Sequence, residues 1–176
     1  MLQPLLNLKT TVIRLNPSAQ THARIIDGKA LSAQVLDEVR EDVRALAARQ
    51  IYPALAVLLI GQDPASEVYV RNKLLRAKDV GIRSLEHRLP DNVSQQQVLQ
   101  LIQRLNADSG VNGILVQLPL PAHINEQAAI QAIAPIKDVD GFHRENVGGL
   151  VQGDEVLTPC TPSGCMRLLH LSLIHI

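Results

Sequence analysis

The chain contains no tryptophan, one phenylalanine and two tyrosines among 176 residues, an aromatic content of 2%. That scarcity excludes an interior of stacked rings and leaves the core to Leu, Ile, Val and Ala within the 46% apolar total. Cysteine is equally sparse: Cys160 and Cys165 are too few for a disulfide framework or a four-ligand zinc site, and their spacing is not C-x-x-C. Structural cysteines and a reduced, cytoplasmic setting are the expectation. An excess of either charge is also missing, with 17 Lys plus Arg against 17 Asp plus Glu. Without a basic run there is no electrostatic footprint for nucleic acid, and no such partner is expected. No apolar run approaches the roughly 20 residues that cross a bilayer, so no membrane partner is expected. His87, His123 and His143 show no i, i+4 pairing, which leaves a metal site without support.

The first 26 residues lack acidic side chains while holding Lys9, Arg14 and Arg24. Their composition has a weak likeness to an organelle transit peptide, and MLQPLLNLKTTVIRL lacks the order of a secretory signal. Residues 1–22 read as a disordered leader or an over-long start.

What is present is periodicity. Within residues 29–50, Leu31, Val35, Val39, Val43 and Leu46 repeat at helical spacing, and a helix with such a stripe needs a layer to lie on. RIIDG before it reads as a short strand and turn. ALAVLLIG, residues 54–61, is an unbroken apolar run ending in Gly, the pattern of a strand covered on both faces. A second helix is expected from Ser66, as cap, to Gly81. Ser94 and Gln97 have capping-box spacing before Val98, Leu101, Ile102 and Leu105. GILVQLPLP, residues 113–121, reads as a buried strand ended by Pro119, and residues 125–134 as a short helix. Helices alternating with buried strands predict an α/β fold, a layered helix/sheet domain with a mostly parallel sheet. From Pro135 the sequence turns rich in Gly, Pro, Asp and Asn and reads as a long loop, which in a compact domain is more often functional than ornamental.

Three features bear on chemistry. Tyr69 and Lys73 are four apart, so a helix would present ring and amine on one face, just after the strand edge where open α/β sheets bind ligands. Gln117 interrupts an aliphatic strand, and a buried amide without partners costs about 1–3 kcal/mol. It either faces a polar cleft or ties down a neighbouring loop. The segment KDVDG, with Lys137, Asp138 and Asp140, is by itself only a turn signal. A lysine near a buried amide and a carboxylate nevertheless suits general acid/base work.

In this order, RIIDGK, PASEVYVRNK, GILVQLPLP, KDVDGFHREN and TPCTPSG resemble the bifunctional methylenetetrahydrofolate dehydrogenase/methenyltetrahydrofolate cyclohydrolase family, from about Arg24 to about Leu169. The resemblance implies an enzyme that oxidises methylenetetrahydrofolate with NADP and hydrolyses the methenyl product to formyltetrahydrofolate. It implies Lys73 as catalytic acid/base, Gln117 as its hydrogen-bonding and tuning partner, and Asp140 as anchor of the pterin ring. Tyr69 would lie against the folate, with Val116 and Leu118 flanking Gln117 in the pocket wall. The full-length family enzyme is expected to be a homodimer.

The resemblance divides the chain into a folate-binding catalytic domain at 23–157 and a hinge with the start of a connecting helix at 158–170. Family members then continue into a Rossmann-type NADP domain. Here LSLIHI departs from the family pattern, and residues 171–176 are expected to be a non-native tail of adaptor origin on a truncated gene model. On that expectation no dinucleotide binds this chain tightly, dehydrogenase activity is absent, and hydrolysis is weak or missing. The competing expectation is a standalone folate- or partner-binding module without catalysis. A Tyr/Lys pair at i, i+4 also occurs in short-chain dehydrogenases, but the chain has no G-x-G-x-x-G turn, and VGGLVQG has the wrong spacing for one.

Overall fold

The run ALAVLLI forms strand β1 (Ala54–Ile60), in which every residue but Leu55 is buried. A strand can be apolar on both faces only where both are covered, and the flanking elements supply the cover. In this computed structural model, which describes residues 25–171, β1 lies at the centre of a three-stranded sheet of order β2-β1-β3, with β2 at Arg83–Leu89 and β3 at Gly113–Val116. Both pairings are parallel, and the register sets Leu58 opposite His87 on one side and Val116 on the other.

The helices are α1 (Gly28–Ala48), α2 (Pro64–Asp79), α3 (Gln95–Ala107), α4 (Glu126–Ala132), α5 (Arg144–Gln152) and α6 (Cys160–Leu171). Strand alternation sorts the core into two layers. Ala56, Leu58, Ile60, Ile114 and Val116 pack with Val98, Ile102 and Leu105 of α3 and with Ala129 of α4. Val57, Leu59 and Leu115 face the opposite way, onto Val70 and Leu74 of α2. The layered, parallel α/β reading therefore describes the structure.

Several local expectations need correction. Ile25–Asp27 is not a strand; Asp27 is the N-cap of α1, its carboxylate accepting from the amides of Lys29 and Ala30. The cap of α2 is Asp63, with Pro64 in the first turn, and Ser66 is buried inside the helix at 2% exposure. A proline in the first turn removes an amide that had no helical partner to lose, which lets α2 begin two residues before Ser66. Strand β3 stops at Val116, although Gln117 still donates its amide to the Leu58 carbonyl at 2.9 Å. The long loop predicted from Pro135 holds a 3-10 turn at Pro135–Lys137 and the helices α5 and α6.

Ser94 and Gln97 make both halves of the expected capping box. No helix among the described residues is long and apolar enough to cross a membrane. The expected leader, and the expected tail apart from Leu171, lie outside the described residues.

Candidate active site

Parallel register brings the site together. On the edge of β3 away from β1, Ile114 makes an isolated parallel bridge to Asp138, and the turn that follows leaves Asp140 lining the same gap as Val116 and Leu118, the two neighbours of Gln117. On the other side of β3, β1 ends at Ile60 and leads through Gly61 into α2, whose N-terminus therefore starts at the same sheet edge. Ligands of open α/β sheets bind along this carboxyl edge.

On α2 the inward stripe is Ser66, Val70, Leu74 and Ala77, at spacings of four, four and three. Tyr69 and Lys73 each precede a member of that stripe, so both flank it on the same side. Lys73 is half-buried, and its Nζ donates to Gln117 Oε1 at 3.2 Å. Tyr69 is 62% exposed, its ring free to meet a ligand rather than committed to packing.

Gln117 is tied to the chain that follows it. Its Nε2 donates to the Leu118 carbonyl at 2.7 Å, which ties it to the following loop, and its Oε1 is thereby turned to Lys73. The same carbonyl receives the buried Ser66 hydroxyl at 3.4 Å. Val116, Leu118, Asp138, Asp140 and Phe142 border a narrow gap beside β3, so the two apolar neighbours of Gln117 also adjoin Asp140.

Asp140 is half-buried, and loss of solvent raises its pKa above the ordinary carboxylate value; the nearby Lys73 ammonium opposes this and the Asp138 carboxylate adds to it. The sign follows from linkage. An acid whose folded pKa is raised binds more protons folded than unfolded, so the fold loses stability as pH rises from the ordinary aspartate range through the raised value. Asp140→Asn is therefore expected to raise the melting temperature at neutral pH, with the gain shrinking as pH falls through that window. Thermal unfolding at pH 7 and pH 4 checks it, and an equal or larger gain at pH 4 would contradict the assignment.

Three residues that the sequence reading named without a part in the site also bear on it. Lys137 is a mooring: its Nζ donates to the carbonyls of Leu105, Asn106 and Asp108 at 3.1, 2.8 and 2.8 Å, taking up groups that the end of α3 leaves open. Asp138, 2% exposed, accepts the His143 amide at 2.7 Å and Asn146 Nδ2 at 3.2 Å. Cys160, set aside as structural, starts α6 and donates from Sγ to the Val139 carbonyl at 3.3 Å. Burial raises its thiol pKa, Asp140 adds to the rise and Lys73 opposes it, so Cys160 sits within electrostatic reach of the site. Both cysteines are free. Among the described residues no group of three or more His, Cys, Asp or Glu could hold a metal ion.

Residues 26–140 match the family model described as tetrahydrofolate dehydrogenase/cyclohydrolase, catalytic domain. The chain is similar to bifunctional protein FolD 2 of Pseudomonas syringae pv. tomato, with 69% identity over 147 residues, covering 84% of this chain and 49% of the relative. Among solved structures, the bifunctional FolD methylenetetrahydrofolate dehydrogenase/cyclohydrolase of Campylobacter jejuni superposes with a TM-score of 0.82 at 46% identity, over 84% of this chain and 53% of that one. The Trypanosoma brucei N5,N10-methylenetetrahydrofolate dehydrogenase-cyclohydrolase, solved with NADP cofactor and inhibitor, gives 0.82 at 37% identity, over 88% and 53%. The chain spans about half the length of the curated relatives it matches.

Proposed function

Since the chain belongs to the tetrahydrofolate dehydrogenase/cyclohydrolase family, we propose that it is the folate-binding catalytic domain of a cytoplasmic, homodimeric enzyme of one-carbon metabolism. That enzyme oxidises 5,10-methylenetetrahydrofolate to the 5,10-methenyl form with NADP and hydrolyses the product to 10-formyltetrahydrofolate. The observation that carries the reading is the hydrogen bond from Lys73 Nζ to Gln117 Oε1. It holds an amine beside an exposed ring and a half-buried carboxylate at the carboxyl edge of a parallel sheet.

NADP supplies hydride acceptance when bound. The described residues offer it no phosphate cradle: of the glycines in VGGLVQG, Gly148 and Gly149 lie within α5 and Gly153 is its left-handed C-cap. The chemistry assigned to these residues therefore concerns the folate alone. Hydrolysis requires water to add to the methenyl carbon and both protons of that water to leave, one of them ending on N5 as its bond to carbon breaks. The product keeps the carbon as the formyl group on N10, and one proton is released in the net reaction. The Lys73 amine is the group that takes up and returns the proton, and the Gln117 carbonyl keeps it on the reacting side. Asp140 accepts the paired N–H groups of the pterin pyrimidine, a charge-assisted and two-pronged contact. Tyr69 lies against the pterin face, and Val116 and Leu118 carry Gln117 between them at the pocket wall.

Binding of 5-formyltetrahydrofolate, a reduced folate that lacks the methenyl bridge, tests this by calorimetry on the chain and on Tyr69→Ala and Asp140→Ala. Each substitution is expected to weaken binding by about tenfold or more, the scale of a lost stacking or charged hydrogen-bond contact. Unchanged affinity in both would remove the reading. Binding that depends on Asp140 in a protein of this chain that hydrolyses nothing would instead favour a folate-binding module.

A further inference from the structure

Two aspartates alternate in KDVDG, and only one of them faces the site. Asp138 is 2% exposed, and among the described residues its carboxylate meets N–H groups of His143 and Asn146 rather than a cation. Burying a carboxylate without a counter-charge is costly, so its hydrogen bonds must hold something in place. What they hold is the segment on either side of Asp140. Asn146, 4% exposed, donates from one Nδ2 to Asp138 Oδ2 at 3.2 Å and to the Pro135 carbonyl at 2.9 Å. It thereby clamps the start of the loop to Asp138 from within α5. His143, 6% exposed, caps α5 by accepting the Glu145 amide on Nδ1 at 3.2 Å, while its own amide is committed to Asp138 at 2.7 Å. Within the ring so closed, the Gly141 amide donates to the Asp138 carbonyl at 3.2 Å, a tight turn with Asp140 inside it.

We propose that Asp138 is a positioning residue for Asp140: its buried carboxylate fastens His143 and Asn146, and the loop so closed presents the Asp140 carboxylate to the pterin. The inference rests on the proposed pterin contact of Asp140. It assigns a part in ligand recognition to a side chain that is itself 2% exposed. A merely structural role, docking α5 onto the domain, would set stability without acting through Asp140.

The electrostatics around Asp140 separate these two roles. The charged and titratable groups facing it are Lys73 from α2, Asp138 on its own loop and Cys160 from α6, and after desolvation the Asp138 charge is what raises its proton affinity. An amide at position 138 has an oxygen able to accept both existing donors, so Asp138→Asn keeps the shape of the ring and removes the charge. Asn146→Leu keeps the charge and removes the clamp, with Asn146→Ser replacing it if the leucine variant does not fold.

The experiment measures 5-formyltetrahydrofolate affinity of the full chain from pH 4 to 8, together with melting temperature. Titration of the folate itself is common to all variants and cancels in the comparison. Asp138→Asn is expected to move the acid limit of binding to lower pH, because Asp140 then stays ionised further down. Asn146→Leu is expected to weaken binding by about tenfold, the loss of roughly one charged hydrogen bond's worth of positioning, with the acid limit unmoved. If both variants bind with the affinity and acid limit of the parent, whatever their melting temperatures, the proposal is overturned. An Asp140→Asn control separates this from the parent reading: should it bind as the parent does, the pterin contact of Asp140 fails, not the fastening of its loop.

Discussion

Lys73→Met is expected to slow hydrolysis of 5,10-methenyltetrahydrofolate by about 10²- to 10⁴-fold, the contribution typical of a positioned general acid or base. The measurement is loss of the methenyl chromophore, made on protein carrying this domain. Methionine keeps the length of the lysine stem, so the packing of α2 through Val70 and Leu74 is retained and KM should change little. Lys73→Arg should not restore the rate. A guanidinium carries charge and donors but does not give up its proton, so a charge that merely attracted the folate would be replaced and a proton carrier would not. Activity of Lys73→Met within threefold of the parent would end the assignment.

The largest loss of stability is expected at Gly141. Its φ is +70°, a left-handed conformation, and a Cβ there would lie 2.7 Å from Pro159 N, 2.7 Å from the Thr158 carbonyl carbon and 2.9 Å from the Leu157 carbonyl oxygen. All three are backbone atoms, which cannot swing aside as a side-chain tip can. Strain and overpacking together place Gly141→Ala at about 2–5 kcal/mol. At about 2–4 °C per kcal/mol for a chain of this size, the melting temperature should fall by roughly 5–15 °C. Gly148 is the contrast: it lies inside α5 with open space around its Cα, so Gly148→Ala should be neutral or stabilise by up to about 1 kcal/mol. Paired thermal melts decide the matter, and equal melting temperatures for the two alanine variants would refute the backbone contact.

The parts of the fold legible in the sequence were those where one local signal dominates. An apolar run such as ALAVLLI allows few states other than a buried strand, and a reciprocal Ser94/Gln97 cap leaves little doubt about where α3 begins. Strand β2 gave no such signal. It is an edge strand, its exposed Arg83, Glu86 and Arg88 suit an unpaired edge, and His87 breaks the apolar alternation of Leu85 and Leu89. Helix α5 was hidden by its composition, since Gly148 and Gly149 count against helix when read singly, whereas the start of α6 was expected only through the family resemblance, against Pro162 and Gly164. What forms α5 is its ends: His143 caps one, and Gly153 at φ +85° closes the other.

At the site, Gln117 was conspicuous as an amide in an aliphatic strand, while its pairing with Lys73 was an implication of the family resemblance. The roles of Lys137, Asp138 and Asn146 were not legible. Their partners are backbone groups 29 or more residues away for Lys137, or residues at or in a helix the composition concealed, and no spacing rule reports either.

Helix α1 is 21 residues long, yet none of its side chains is buried, and the same holds for α6. The pair meets through the Arg167–Glu38 ion pair at 2.9 Å and the approach of Leu168 to Gly28, contacts of the kind that surface water weakens. Their hold on the rest of the domain includes Arg40 Nε on the Asp79 carbonyl at 3.4 Å and Cys160 Sγ on the Val139 carbonyl at 3.3 Å, so any loosening of α6 is felt beside Asp140.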